Sequence, residues 1–300
     1  MKTSLFVLLL AFACITSAQS WPAWVLQSQQ SDEYITAVGI GESRLAAKQA
    51  ALADIVTQLS VDVSTEQVQL SSKQNTQSTG YFQQTTSLSS LPFTLTGTEE
   101  LNSAEQANLF ALQLGVKKSV IVNTVKADLS VLFRVSPSDK NSEQRFIWAL
   151  QYSGLLSDAT KKLAVLEYLS GAQPLIRTRL NALLTDQSSA LNDVACDVVG
   201  ALSAHEIKSA LNDALPHSGN TQLWMRPQLR WYYANSKNSH SAKAILSLAL
   251  TRSSSPFKVL LQHDLHAQET GATTNAAKQK VIQNLVQQLK APPSTWLFDI

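Results

Sequence analysis

The residue types best suited to chemistry gather late in the chain, at Trp224, Arg226, Arg230, Trp231, Tyr232 and Tyr233. Arginine interleaved with aromatics is enriched where proteins meet partners, because the guanidinium stacks on rings and still donates several hydrogen bonds. The same types suit a sugar face. Trp224, Arg226, Arg230, Trp231 and Tyr233 therefore form the candidate interaction surface. The plainer reading is a sheet with arginines on one face and aromatics in its core. His263-Asp264-Leu265-His266 is the most ligand-like cluster. Residues three apart on a strand point to opposite faces, so these histidines would not converge on one metal. Cys196 sits in an apolar, helix-like context with no basic neighbour in sequence to lower its pKa, which describes a buried inert thiol. Gly39 and Gly41 invite a dinucleotide reading, but the third glycine of that fingerprint falls at Arg44. The chain has no G-x-S-x-G elbow, phosphate-binding loop or H-E-x-x-H helix, and Glu99-Glu100 reads as a loop charge pair. No catalytic, cofactor-binding or metal-binding residues are expected, and no enzyme.

The elements that position these residues follow from periodicity. Tyr34 to Val38 reads as a strand, Gly39 to Gly41 as a tight turn, and Ser43 to Leu59 as a helix. Leu45, Leu52, Ile55, Val56 and Leu59 share one face of that helix at helical spacing, which should lie on a sheet. Val61 and Val63 restart an alternating pattern, and the Ser-, Thr- and Gln-rich stretch to Leu95 reads as long antiparallel strands with a tip near Gln74 to Gly80. Asn102 to Leu114 reads as a short helix or irregular connection. Val116 to Val135, with its alternating valines, reads as a strand pair. Pro137 to Ser142 is a polar linker and helix start, followed by helical pattern from Glu143 to Leu184. Ser203 to Leu215 is predicted as a helix, with Ser203 as its cap and Glu206 completing a capping box. Three strands follow, Gln222 to Ala234, Ala242 to Thr251 and Phe257 to Ala267, and then a helix from Thr274 to Leu289. Trp21 to Val25 reads as an extended segment, and the apolar tail around Trp296 docks on the body or on a partner.

Composition bounds the function. The chain has 300 residues, so two domains are expected. A formal net charge of +2 gives no case for nucleic acid. Lys2, the apolar run Leu5 to Ala13 and Thr16-Ser17-Ala18 make a secretory leader (1–18), with cleavage after Ala18. The competing reading takes Ala11-Phe12-Ala13-Cys14 as a lipidation signal, with Cys14 retained. Simple cleavage leaves Cys196 as the sole cysteine, so stability must come from packing rather than disulfides.

Pro22-Ala23-Trp24-Val25, a polar spacer, Tyr34-Ile35-Thr36-Ala37-Val38-Gly39-Ile40-Gly41, the helix Ala47 to Ile55, and Gln58 to Ser64 occur together in an order that resembles the LPP-twenty lipoprotein family. The resemblance covers about residues 22–135. It implies a bacterial envelope protein, usually lipidated and associated with the outer membrane, and some members belong to flagellar basal structures. It implies no catalytic residues.

The expected architecture is α+β: two α/β sandwich domains, each with helices on a mainly antiparallel sheet, joined by a helical segment. The expected boundaries are 19–136, a helical arm at 137–190, and 191–300. The expected function is a non-enzymatic exported assembly or scaffold component of the envelope, in the periplasm or on the periplasmic face of the outer membrane. Its partners would be envelope proteins or further copies of itself. The rival is a periplasmic glycan- or peptidoglycan-binding module.

Overall fold

The computed structural model describes residues 21–27, 31–73, 95–135, 137, 141–236 and 239–298, with side chains of 60–73 and 235–236 excluded. It divides into two compact units, Met1–Thr124 and Val125–Ile300. Both are α+β, with helices packed on mainly antiparallel sheets.

The first unit opens with a single turn of helix, α1 (Ala23–Leu26), where an extended segment was predicted. Pro22 itself is extended (φ −50°, ψ 149°), and its carbonyl accepts from Val25 N–H at 2.9 Å, so the chain turns helical directly after the proline. β1 (Tyr34–Gly41), β2 (Thr98–Gln106) and β3 (Leu109–Lys117) form an antiparallel sheet in the order β1-β3-β2, and α2 (Arg44–Lys73) packs on β1 and β3. Ile35 and Ala37 face the helix beside their ladder partners Val116 and Leu114. β2 and β3 are joined by Ala107 and Asn108, both at positive φ (50° and 65°), the geometry a two-residue hairpin needs to match strand twist.

The helix lies on the sheet through a row of small residues. Ala47, Ala51, Ile55 and Leu59, four apart, are all buried, whereas Leu45, predicted to face the sheet, is 65% exposed. The cause is Gly39. A Cβ there would lie 2.0 Å from the Ala47 carbonyl oxygen and 2.4 Å from the Ala51 nitrogen. The helix backbone thus approaches too closely for a leucine row, and the alanines set its phase. Ser43 caps it, its Oγ accepting from Ala46 N–H at 3.2 Å.

Four predicted segments fold otherwise. α2 continues through Val61 and Val63 to Lys73, where an alternating strand was predicted. The predicted strands beyond Lys73 and their tip lie outside the described residues. Asn102 to Leu114 belongs to the β2–β3 hairpin, and Glu99-Glu100 sits on β2 rather than in a loop. Lys118–Leu132 is a helix, α3, not a strand pair. Its valines alternate, but Ile121, Val125 and Leu129 also recur every four residues and are all buried. Packing chose the helical period over β-propensity.

The second unit contains α4 (Ser142–Gln151), α5 (Ser153–Ser170) and α6 (Pro174–Asn192), then β4 (Val194–Val198), α7 (His205–Ala214), β5 (Thr221–Ser236), β6 (Ser239–Arg252), β7 (Val259–Gly271), α8 (Thr274–Leu289) and α9 (Pro293–Trp296). Asn141 caps α4, accepting from Gln144 N–H at 2.9 Å, and Thr273 caps α8, accepting from Ala276 N–H at 3.1 Å. The N-cap of α7 is Ala204, which offers no side-chain cap bond, so the predicted Ser203 box is not formed. The sheet order is β4-β5-β6-β7, with β4 parallel to β5 and the other pairs antiparallel. β4 was read as helix-like, yet Val194, Cys196 and Val198 alternate inward in a strand of five residues. One core joins the inner sheet face to α4, α7 and α8. The tail folds onto its own unit: Trp296 is 1% exposed, its Nε1–H donates to Ala291 O at 2.9 Å, and Ser294 Oγ accepts from Gly154 N–H at 3.1 Å. No described helix is long and apolar enough to cross a membrane.

Replacing Gly39 by Ala drives a methyl into helix backbone, which cannot rotate aside. Gly39→Ala should destabilise the first unit by about 3 kcal/mol or more. Ile40→Ala, at a 46% exposed position on the same strand, should cost less than about 1 kcal/mol. Urea midpoints followed by circular dichroism check both.

Candidate functional site

β5 carries the candidate surface, and strand alternation splits it. Met225 and Pro227 point inward and are buried, which places Trp231 and Tyr233 on that same helix-facing side. Their rings stack at 6.0 Å with an interplanar angle of 5°, and the Lys278 ammonium of α8 lies 5.3 Å from the Trp231 ring. Trp224, Arg226, Gln228, Arg230 and Tyr232 point to the opposite face. There Arg226, Gln228, Arg230 and Tyr232 are exposed and Trp224 is half-buried. Of the five residues predicted as one surface, Trp224, Arg226 and Arg230 come together and Trp231 and Tyr233 do not.

The outer face gains a residue that sequence reading missed. Phe257, in the β6–β7 connection, stacks on Trp224 with centroids 5.8 Å apart and planes at 19°. The Arg226 guanidinium carbon lies 5.1 Å from the Trp224 ring and 5.7 Å from Phe257. Phe257 is 31 positions beyond Arg226 and no spacing rule links them; only the β5–β6 pairing brings the loop to Trp224, whose partner is Thr251. Among the described residues no carboxylate lies within ion-pair distance of Arg226. Arg230, by contrast, has Asp264 Oδ2 at 3.9 Å and donates to Ser247 Oγ at 3.4 Å. Across the same face Lys243 pairs with Tyr232 and His266 with Ile245.

The two histidines of β7 lie on opposite faces of the sheet. Leu265 and Ala267 of β7 are buried, so His263 shares their inward side while His266 is exposed on the outer one. No group of three or more His, Cys, Asp or Glu among the described residues could hold a metal. Arg44, at the third-glycine position, donates to both carboxylate oxygens of Glu100 at 2.7 Å, and Tyr34 Oη donates to Glu99 at 3.1 Å. Glu100 thus ties β2 to the start of α2, and Glu99 ties β2 to β1. Lys117 beside Tyr34, Glu99 and Glu33 has its pKa raised, first by the Tyr34 contact and then by the Glu99 charge. In the second unit Arg252 donates twice to Glu143, at 2.6 and 2.7 Å, pinning the start of α4 to β6. Cys196 lies fully buried on β4. Burial first and the Asp197 charge second push its thiol up to about 12, against a backbone hydrogen bond from Met225 that pulls the other way.

The fold is α+β, and Trp224, Arg226 and Phe257 meet on the outer face of the second unit's sheet. Residues 22–124 match the model of the LPP20 lipoprotein family, as the sequence resemblance implied. That match ends at Thr124, where the first unit ends, so the second unit lies outside it. No curated protein matches the chain. Among solved structures, the secreted protein HP1454 from the human pathogen Helicobacter pylori is 16% identical, over 87% of this chain and 96% of that one, with a TM-score of 0.38. That likeness is too loose to argue from.

The Cys196 thiol should be inert. At pH 8 the native chain should show no labelling of Cys196 by a thiol–disulfide reagent over hours, because both thiolate and access are lacking. Complete labelling should appear on unfolding in urea, as read by mass spectrometry of the peptide containing it.

Proposed function

We propose that this chain is a non-enzymatic exported protein of the bacterial envelope, working as an assembly or scaffold component in the periplasm or on the inner side of the outer membrane. The match of residues 22–124 to the LPP20 lipoprotein family carries the reading. The leader pattern of Lys2, Leu5 to Ala13 and Ala18 supports export. Further support comes from β2, whose side chains are largely exposed and whose outer edge pairs with no strand among the described residues, an arrangement that suits addition of a strand from another chain. The finer form of the proposal is a subunit of a ring or a flagellar basal structure, which follows from what the family resemblance implies.

Sedimentation velocity on the mature chain should show a weight-average mass that rises with concentration, or retention of the chain on isolated outer-membrane fractions. A strictly monomeric protein at the highest attainable concentration, unretained by any envelope fraction, contradicts the scaffold reading.

A further inference from the structure

The outer face of the second unit's sheet is a stripe in which Trp224, Arg226, Gln228, Arg230 and Tyr232 project side by side. Eight residue steps of strand span about 27 Å, so the stripe runs the length of a short linear polymer. Across the ladder Ala249 lies opposite Arg226 and Ile245 opposite Arg230, while polar groups follow in the same rows: half-buried Ser247 and Asp264 beside Gln228, and exposed Gln262 beyond Ala249.

Charge is unevenly satisfied along it. The face holds Arg226, Arg230 and Lys243 against Asp197 and Asp264. Asp264 faces Arg230, and Asp197 accepts from the Gln222 amide at 2.9 Å. That leaves Arg226 as a guanidinium over the Trp224 and Phe257 rings, 5.1 and 5.7 Å from their centroids, and lacking a carboxylate among the described residues. A guanidinium over aromatic rings can still direct its N–H groups to a carboxylate in two parallel bonds, and contact with the rings lowers the side-chain entropy lost on binding. Phe257, 60% exposed, offers an apolar ring beside that edge.

We propose that this stripe binds a carboxylate-bearing glycan strand, with Arg226 holding the carboxylate, Phe257 and Tyr232 packing on sugar faces, and Gln228, Ser247 and Gln262 bonding hydroxyl and amide groups. The mixture of amides, hydroxyls and both signs of charge favours a polyhydroxylated ligand over an anionic lipid surface, which selects clustered lysines with few acids. The proposal does not rest on the scaffold reading, since the face belongs to the unit outside the family match.

The test titrates the full mature chain with soluble muropeptides, with uncharged N-acetylglucosamine oligomers, and with phosphatidylglycerol vesicles, following tryptophan fluorescence and calorimetry. Muropeptides should bind and shift the fluorescence, with the uncharged oligomers about tenfold weaker or worse. Arg226→Gln should weaken muropeptide binding by about tenfold or more, the loss expected for one charge-assisted contact. Phe257→Ser should weaken both glycans alike. Both residues are exposed, so unchanged circular dichroism should accompany the loss. No binding at millimolar muropeptide overturns the proposal. So do equal affinity for the uncharged oligomers, indifference to Arg226→Gln, or binding to the vesicles alone.

Discussion

The contact on which the first unit depends is the approach of α2 to β1 at Gly39, where only a hydrogen fits between strand and helix backbones. Its consequences spread outward. With Ala47 and Ala51 seated on the glycine, Ile55 and Leu59 are carried to the sheet and Leu45 is turned to solvent. Arg44 then reaches Glu100 on β2, tying the helix start to the sheet's outer strand. Burying alanine gains little hydrophobic energy per residue, but close packing makes many short dispersion contacts and leaves no void.

The second unit is organised by a different constraint, the alternation of a strand with one dry side. Met225, Ala244, Leu246 and Leu265 close the inner face over α7 and α8, so residues of opposite parity must be tolerable in water. Arginine, glutamine, serine and lysine meet that demand. Trp224 and Phe257 do not meet it by themselves, and they cover part of each other and lie beneath Arg226. An aromatic pair on a wet face therefore distinguishes this sheet from an ordinary solvated one.

Much of this was legible in the residues. Helix α8 matches its predicted span, Asn141 marks the start of α4 within the polar linker, and the three long strands β5 to β7 sit where turn residues and alternation put them. The failures share one physical root. In α3 the spaced apolar residues satisfied both a period of two and a period of four, and only tertiary packing, which buries Ile121, Val125 and Leu129, decides between them. β4 is so short that five alternating residues beside a long helix carried too little pattern. The candidate surface is divided between the two faces of the sheet, because Trp231 and Tyr233 have the parity of the core and Trp224, Arg226 and Arg230 do not. Phe257 was hidden because strand pairing, not sequence distance, brings it to Trp224.

The central claim is that the chain works outside the cytoplasm, and its mature N-terminus reports on that most directly. Intact-mass spectrometry of the protein recovered from fractionated cells should find the chain beginning at Gln19, or at a lipid-modified Cys14, in periplasmic or outer-membrane material. A chain that keeps Met1 and fractionates with the cytoplasm would contradict the account.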